Sequence, residues 1–218
     1  MSTQPAATAP LSPRDQLRRL LAELSFRLGE FKLSSGATSD YYIDCRATTL
    51  HAEGARLVGR VLLDLIREKR WKPKAIGGMT MGADPIVTTI TVHSAQSIVT
   101  RSPARTKPLD FPDEFYIHGF LVRKKEKQHG TGQRIEGYRK TGSMVVIVDD
   151  VCTTGASTIE AIQAAREFGF EVIGVLCLVE REEAGGRAAV EKAAAPAEFV
   201  SLFTASEIRA EHEQLKSN

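Results

Sequence analysis

The sequence predicts an α/β fold with a central, mainly parallel sheet flanked by helices. Three observations carry this. Met144–Val148 is an unbroken apolar run rich in Val and Ile, and Glu171–Val179 (EVIGVLCLV) is a second. Short runs of this kind suit strands covered on both faces, as in a parallel sheet. Ala75–Pro85 reads as a short strand leaving into a Gly-rich loop and a helix.

The chain has 218 residues, enough for one α/β domain with a substantial core. A net charge of +2 argues against a general nucleic-acid binder. The three cysteines, Cys45, Cys152 and Cys177, have no CxxC spacing and suggest neither a disulfide framework nor a zinc site. Cys177 lies in an apolar run and reads as core. That usage fits a reducing cytoplasm. No apolar stretch reaches membrane-spanning length, and the N-terminus lacks the pattern of a secretory signal.

Met1–Leu11 is Ala, Thr, Pro and Gln without periodicity and is expected to be a disordered tail, leaving residues 12–218 as a single domain. Ser12 caps a helix with Pro13 at its first position and Asp15 in its first turn. Leu17, Leu20, Leu21, Leu24 and Leu28 continue it as an apolar stripe, and Gly29 is expected to end it. Phe31–Thr49 has strand character around a Gly turn. Its Tyr41 and Tyr42 are either buried hairpin residues or aromatic walls for a flat heterocycle. Lys32 is expected to point away from position 34, on the other side of its strand.

Ala52–Arg70 is an amphipathic helix with Ala55, Val58, Leu62, Leu65 and Ile66 on one face. The helix at the end of the Ala75–Pro85 stretch is started by Asp84 and Pro85. Ser97–Thr100 is a possible short strand, Arg101–Pro112, with three prolines, an exposed loop, and Phe115–Val122 a strand. Ile159, Ile162, Ala165, Arg166 and Phe168 form a helix that Gly169 stops. Gly185–Ala195 is a modest helix and Glu198–Phe203 an outer strand. Thr204–Leu215 is a helix opened by a capping box, Thr204 with Glu207.

Function concentrates in Met144–Thr158, MVVIVDDVCTTGAST. The strand ends in Asp149 and Asp150, and a hydroxyl-rich turn leads into a helix. The first helical N–H groups have no intrahelical partners and sit at the positive end of the dipole, which suits a phosphate. Gly155 lets the backbone come close, and Thr153, Thr154, Ser157 and Thr158 offer hydroxyls. The two acids would repel a phosphate in contact, so their natural partners are sugar hydroxyls or a metal. Together these parts describe a ribose 5-phosphate pocket. Thr-rich turns after acidic strand ends are also common in ordinary turns, and no Walker A motif is present. Arg123–Gly132, RKKEKQHGTG, gathers cationic side chains beside mobile glycines. It reads as a loop that closes over an anion or as a solvated basic loop. Arg181, just past the second apolar run, is a cation suited to a carboxylate, or else a surface partner of Glu180 or Glu183.

Val145–Ser157, VVIVDDVCTTGAS, resembles the 5-phosphoribosyl 1-diphosphate signature of type I phosphoribosyltransferases. Arg123–Gly132 resembles the R-K-x-x-K-x-H-G-x-G loop of the orotate phosphoribosyltransferases, and Gly29–Tyr42 is similar to their GEF-x-L-x-SG-x-x-S-x-YY stretch. Ser34 and Met81 stand where many members carry lysine. The resemblance implies the type I phosphoribosyltransferase fold, with a hood from about 12–50 and a core from about 51–218. It implies Mg2+-dependent phosphoribosyl transfer from 5-phosphoribosyl 1-diphosphate to orotate, in pyrimidine biosynthesis. It places the donor on Arg123, Lys124, Lys127, His129, Asp149, Asp150, Val151, Cys152, Thr153, Thr154, Gly155, Ala156 and Ser157, with backbone N–H groups of the Gly-rich loop within Ala75–Pro85 receiving the diphosphate. Orotate falls to Thr153 and Arg181, with Tyr41 and Tyr42 as walls. Lys127, Asp150 and Asp149 are the implied catalytic residues, and no side chain is assigned as a metal ligand because the substrate holds most of the Mg2+. A cytoplasmic homodimer with shared sites is expected, binding neither nucleic acid nor membrane. The alternatives are transfer to another base, or a non-catalytic regulator on the same fold.

Overall fold

The computed structural model describes residues 10–32, 38–101, 116–124 and 134–217. Most of the expected tail, most of the 101–112 loop, Ser34, and Lys127 and His129 of the basic loop lie outside the described residues.

In chain order the elements are α1 (Pro13–Leu20), β1 (Phe26–Lys32), β2 (Thr38–Ile43), α2 (Arg46–Thr49), α3 (Ala52–Glu68), β3 (Ala75–Met79), α4 (Ala83–Arg101), β4 (His118–Val122), β5 (Ile135–Gly137), β6 (Met144–Cys152), α5 (Ala156–Glu167), β7 (Glu171–Glu180), α6 (Gly186–Ala194), β8 (Glu198–Thr204) and α7 (Ala205–Ser217). The main sheet has the order β5-β4-β3-β6-β7-β8 and is parallel except for the short edge strand β5. β1 and β2 form a separate antiparallel hairpin.

Alternation along β6 sorts its side chains between two cores. Val146 and Val148 pack with Ile76, Leu176, α3 and the N-terminal segment. Val145 and Ile147 pack with Val175, Cys177, Ala161, Ile162 and Val190 on the other face. Covering both faces is what makes the run continuously apolar. Leu17, Leu21, Phe26, Tyr41 and Ile43 share the first of these cores, so the hood is packed into the sheet's own interior.

Three local expectations fail for tertiary reasons. The first helix does not reach Leu28. It ends in a wide turn over Leu21–Ser25, and the chain becomes β1 at Phe26. Leu28 is 40% exposed on the hairpin, opposite Tyr41, and Gly29 sits at its irregular register rather than stopping a helix. Pairing with β2 and burial of Phe26 against Tyr41 and His212 outweigh the leucine periodicity.

Ser97–Thr100 is not a strand but the last part of α4. Its hydroxyls are satisfied within the helix: Thr88 donates to the carbonyl of Asp84, Ser97 to that of Ser94 and Thr100 to that of Gln96. Packing against α3 then overrides the weak helix propensity of a Thr- and Val-rich stretch. β6 also runs four residues past Val148, carrying both acids inside the strand.

Other boundaries follow the sequence. Ser12 Oγ accepts from Asp15 N–H at 3.1 Å, and Gly169 terminates the α5 segment at φ +96°. The capping box closes in both directions, Thr204 N–H to Glu207 Oε2 at 2.8 Å and Glu207 N–H to Thr204 Oγ1 at 3.2 Å. Thr204→Ala should therefore lower stability by about 1 kcal/mol. A urea midpoint unchanged from the wild type would contradict this.

Candidate active site

The parallel strands place their carboxyl ends together, and the chain reverses direction across the sheet between β3 and β6. Crevices at such switch points bind ligands in open α/β sheets. Here a cleft of about 690 Å³ opens at that point. Its walls are Thr80–Gly82 after β3, Lys124 after β4, Asp150, Val151, Thr153 and Thr154 at the end of β6, Arg181 after β7, and Lys32 and Tyr42–Arg46 from the hairpin side. Six separate stretches of the sequence thus converge on one crevice.

Alternation sends the two acids to different environments. Asp149 is 6% exposed and turns inward, where Thr158 Oγ1 donates to its Oδ2 at 2.5 Å and the Asp150 N–H to its Oδ1 at 3.0 Å. Asp150 faces the cleft, and its Oδ1 accepts from Val151 N–H at 2.9 Å. Burial pushes the Asp149 carboxyl up to about 7, against the pull of the Thr158 hydroxyl and reinforced by the charge of Asp150. Burial also raises Asp150, while the Val151 N–H and the charge of Arg46 hold it down.

Gly155 caps α5 in the left-handed region, at φ +76°, with no side-chain cap. The amides of Ala156, Ser157 and Thr158 therefore have no partner within the helix, which is the arrangement an anion needs. Close approach matters twice more. A Cβ on Gly155 would stand 2.4 Å from Val190 Cγ2, and one on Gly82 would stand 2.3 Å from Asp150 Oδ1. The second contact brings the Thr80–Gly82 loop against the acid at the end of β6.

Arg181 is 6% exposed and heavily tied. Its Nε donates to Tyr41 Oη at 2.9 Å and Glu183 Oε1 at 3.0 Å, its Nη2 to Ser39 Oγ at 3.1 Å, and its guanidinium lies 4.5 Å over the Tyr41 ring. Tyr41 Oη in turn donates to Glu183. Burial and that carboxylate push the Tyr41 hydroxyl up to about 12. Arg181 therefore both lines the cleft and pairs with Glu183, whereas Glu180 pairs with Arg187.

The structure brings Asp150, Val151, Thr153, Thr154, Arg181, Lys124 and Tyr42 into one cleft. Tyr41 does not line it; the ring stacks on Phe26 at 5.2 Å and supports Arg181. Thr158 is fully buried on Asp149, so its hydroxyl is not offered to a phosphate. Cys152 is buried, and its N–H donates to Cys177 Sγ at 3.0 Å. Arg123 pairs with Glu136 at 3.5 Å near the cleft. Lys32, expected to face away, lines the cleft; positions two apart in a strand share a face, so alternation never set it opposite residue 34. Asp44, Cys45 and Arg46 were missed because they carry no motif spacing and meet the cleft only through the hairpin's fold.

Comparison with known proteins bears directly on this cleft. A family model described as "Phosphoribosyl transferase domain" matches residues 47–195, which contain the whole Asp149–Ser157 turn. The orotate phosphoribosyltransferase of Aquifex aeolicus is 40% identical over 198 residues, spanning 89% of this chain and 97% of that protein. That of Rhodopirellula baltica is also 40% identical, over 191 residues and 89% of its length. The chain belongs to the orotate phosphoribosyltransferases. It is thus an enzyme of the pentosyltransferase class with the type I fold. The solved orotate phosphoribosyltransferase of Mycobacterium tuberculosis, in complex with Fe(III) dicitrate, superposes at a TM-score of 0.70 with 34% identity, covering 90% of this chain and 99% of that one. The same enzyme in complex with 5-phospho-alpha-D-ribosyl 1-diphosphate gives 0.66 with 32% identity, covering 90% and 99%.

The buried acid makes a pH prediction. A carboxyl raised on folding binds its proton more tightly in the native state, so its contribution to stability is full below the ordinary 3.8 and is lost as pH rises through about 7. Asp149→Asn removes that loss. The stability of the variant relative to wild type should climb between about pH 4 and 7, as followed by urea unfolding. Parallel pH profiles for the two proteins would refute the assignment.

Proposed function

We propose that the chain transfers the phosphoribosyl group of 5-phosphoribosyl 1-diphosphate to orotate, giving orotidine 5'-phosphate and diphosphate, with Mg2+. The observation that carries this reading is the cleft itself: Asp150, Thr153, Thr154 and the uncapped start of α5 stand together with Arg181 at the ends of adjacent strands.

In this reading the amides of Ala156, Ser157 and Thr158, with the Thr153 and Thr154 hydroxyls, take the 5'-phosphate. Asp150 accepts from ribose hydroxyls and opposes positive charge developing at the anomeric carbon. Asp149, locked by Thr158, sets the direction of the strand end. Arg181 binds the orotate carboxylate, and Tyr42 supplies an apolar wall. Tyr41 serves as the hydroxyl that holds Arg181 in place. As the anomeric C–O bond breaks, negative charge gathers on the diphosphate, and preplaced cations lower that barrier. Lys124 lines the cleft, and Lys127, three residues further along the sequence, is the residue proposed to carry most of this work.

Among the described residues no group of three or more His, Cys, Asp or Glu is placed to hold a metal. The cleft does offer Asp150 as an oxygen donor, while both oxygens of Asp44 accept from Arg46. That set fits an ion bound through one or two carboxylates, with substrate oxygens and water completing its shell. Bound there, Mg2+ would supply charge neutralisation for the diphosphate. A homodimer with shared sites and a cytoplasmic setting complete the proposal; the free, buried cysteines suit a reducing compartment. No helix among the described residues is long and apolar enough to cross a membrane.

Orotate consumption should require both the phosphoribosyl donor and Mg2+, and consumption indifferent to the donor would end this reading. Arg181→Ala should raise KM for orotate on the order of 10-fold or more with a smaller change for the donor; equal changes would remove Arg181 from the carboxylate. Lys127→Ala should lower kcat on the order of 100-fold while the circular dichroism spectrum stays unchanged. Wild-type turnover in that variant would exclude the role.

A further inference from the structure

The cleft contains a cation that the reading above does not use. Arg46 follows the hairpin, just before the segment that the family model matches. Its Nε donates to Asp44 Oδ1 at 2.8 Å and its Nη2 to Asp44 Oδ2 at 2.9 Å. That fork leaves Nη1 and one hydrogen of Nη2 uncommitted to Asp44. The Arg46 side chain is 44% exposed and lines the cleft together with Asp150, where its charge works against the larger upward push of burial on that carboxyl. Asp150 in turn touches the Thr80–Gly82 loop, whose exposed side chain, Met81, carries no charge.

This arrangement poses an electrostatic problem. Asp44 is paired with Arg46, but Asp150 has no ion-pair partner of that kind among the described residues, and a polyanion entering between it and the uncharged loop would meet its repulsion. Arg181, after β7, is assigned to the orotate carboxylate, and the other cations of the lining are Lys32 and Lys124. Arg46 stands beside Asp150, and a planar guanidinium matches two oxygens of a phosphate group at once.

We propose that Arg46 is a substrate-binding residue that grips the diphosphate portion of the donor, with Asp44 holding the guanidinium in the cleft until the anion arrives. This rests on the phosphoribosyltransferase reading and adds to it a diphosphate ligand from the hairpin side. Asp44 then orients the fork and limits the rotamer freedom lost on binding. An exposed pair of this kind adds little to stability, so replacing Arg46 should leave the fold intact.

The test is calorimetric titration of the dimer or monomer as purified, with Mg2+ present, using diphosphate and ribose 5-phosphate as separate probes. Arg46→Ala should weaken diphosphate about 10-fold or more and leave ribose 5-phosphate within about twofold. Arg46→Lys should restore only part of the loss, because an ammonium lacks the fork. Steady-state kinetics should show the same split, with KM for the donor raised and KM for orotate little changed. Equal diphosphate affinity in wild type and Arg46→Ala would overturn the proposal, as would a parallel loss of both probes. Failure of the wild type to bind ribose 5-phosphate would instead count against the phosphoribosyltransferase reading.

Discussion

Two adjacent carboxylates at the end of β6 impose the constraint on which the rest of the structure depends. Taking a carboxylate out of water is costly unless donors or cations replace the solvent. Asp149 is sunk among apolar neighbours and answered by the Asp150 N–H and by a buried hydroxyl, Thr158, from the first turn of α5. The Thr158 contact ties the strand end to the helix start. Asp150, one residue on, points the other way and is answered by the Val151 amide and the charge of Arg46. The same alternation that splits the apolar residues of β6 between two cores thus splits its acids between a structural and a cleft-facing task.

The hood is tied to the site by a second polar junction. Ser39 and Tyr41 on β2 meet Arg181 after β7, 142 and 140 residues away in the chain. Below that junction Tyr41 stacks on Phe26, and Phe26 meets His212 of α7, whose Nδ1 lies 2.7 Å from the Ala22 carbonyl oxygen. Aromatic packing and a cation over a ring make this a rigid mounting. The tyrosine that looked like a wall for a flat ligand is therefore a support, and its exposed neighbour Tyr42 is the aromatic ring that reaches the cleft.

Much of the site was legible because its parts are local. The acidic pair, the hydroxyl turn, Gly155 and the following helix lie within one short stretch, and the unpartnered amides of the helix start follow from neighbours in sequence. Arg181 was legible because a strand end in a parallel sheet points at the cleft. Thr158 was misassigned since its register relative to Asp149 depends on how the turn folds. Arg46 and Asp44 were missed because nothing near them in sequence marks a cleft. Leu28 and Ser97–Thr100 were misread for a related reason: local periodicity and propensity are worth fractions of a kcal/mol per residue, and sheet pairing or helix packing exceeds them.

By itself, then, the sequence determined the α/β class, the strands and helices with strong periodicity, the capping box at Thr204 and the phosphate-type turn, since each depends on interactions within a few residues. Tertiary structure alone decided which face each acid takes, that Tyr41 serves Arg181, and that Lys32, Asp44 and Arg46 look into the same cleft as Asp150. Those outcomes depend on strand order and on the docking of the hairpin against the sheet. Their energy comes from contacts between residues far apart in the chain, which no local pattern records.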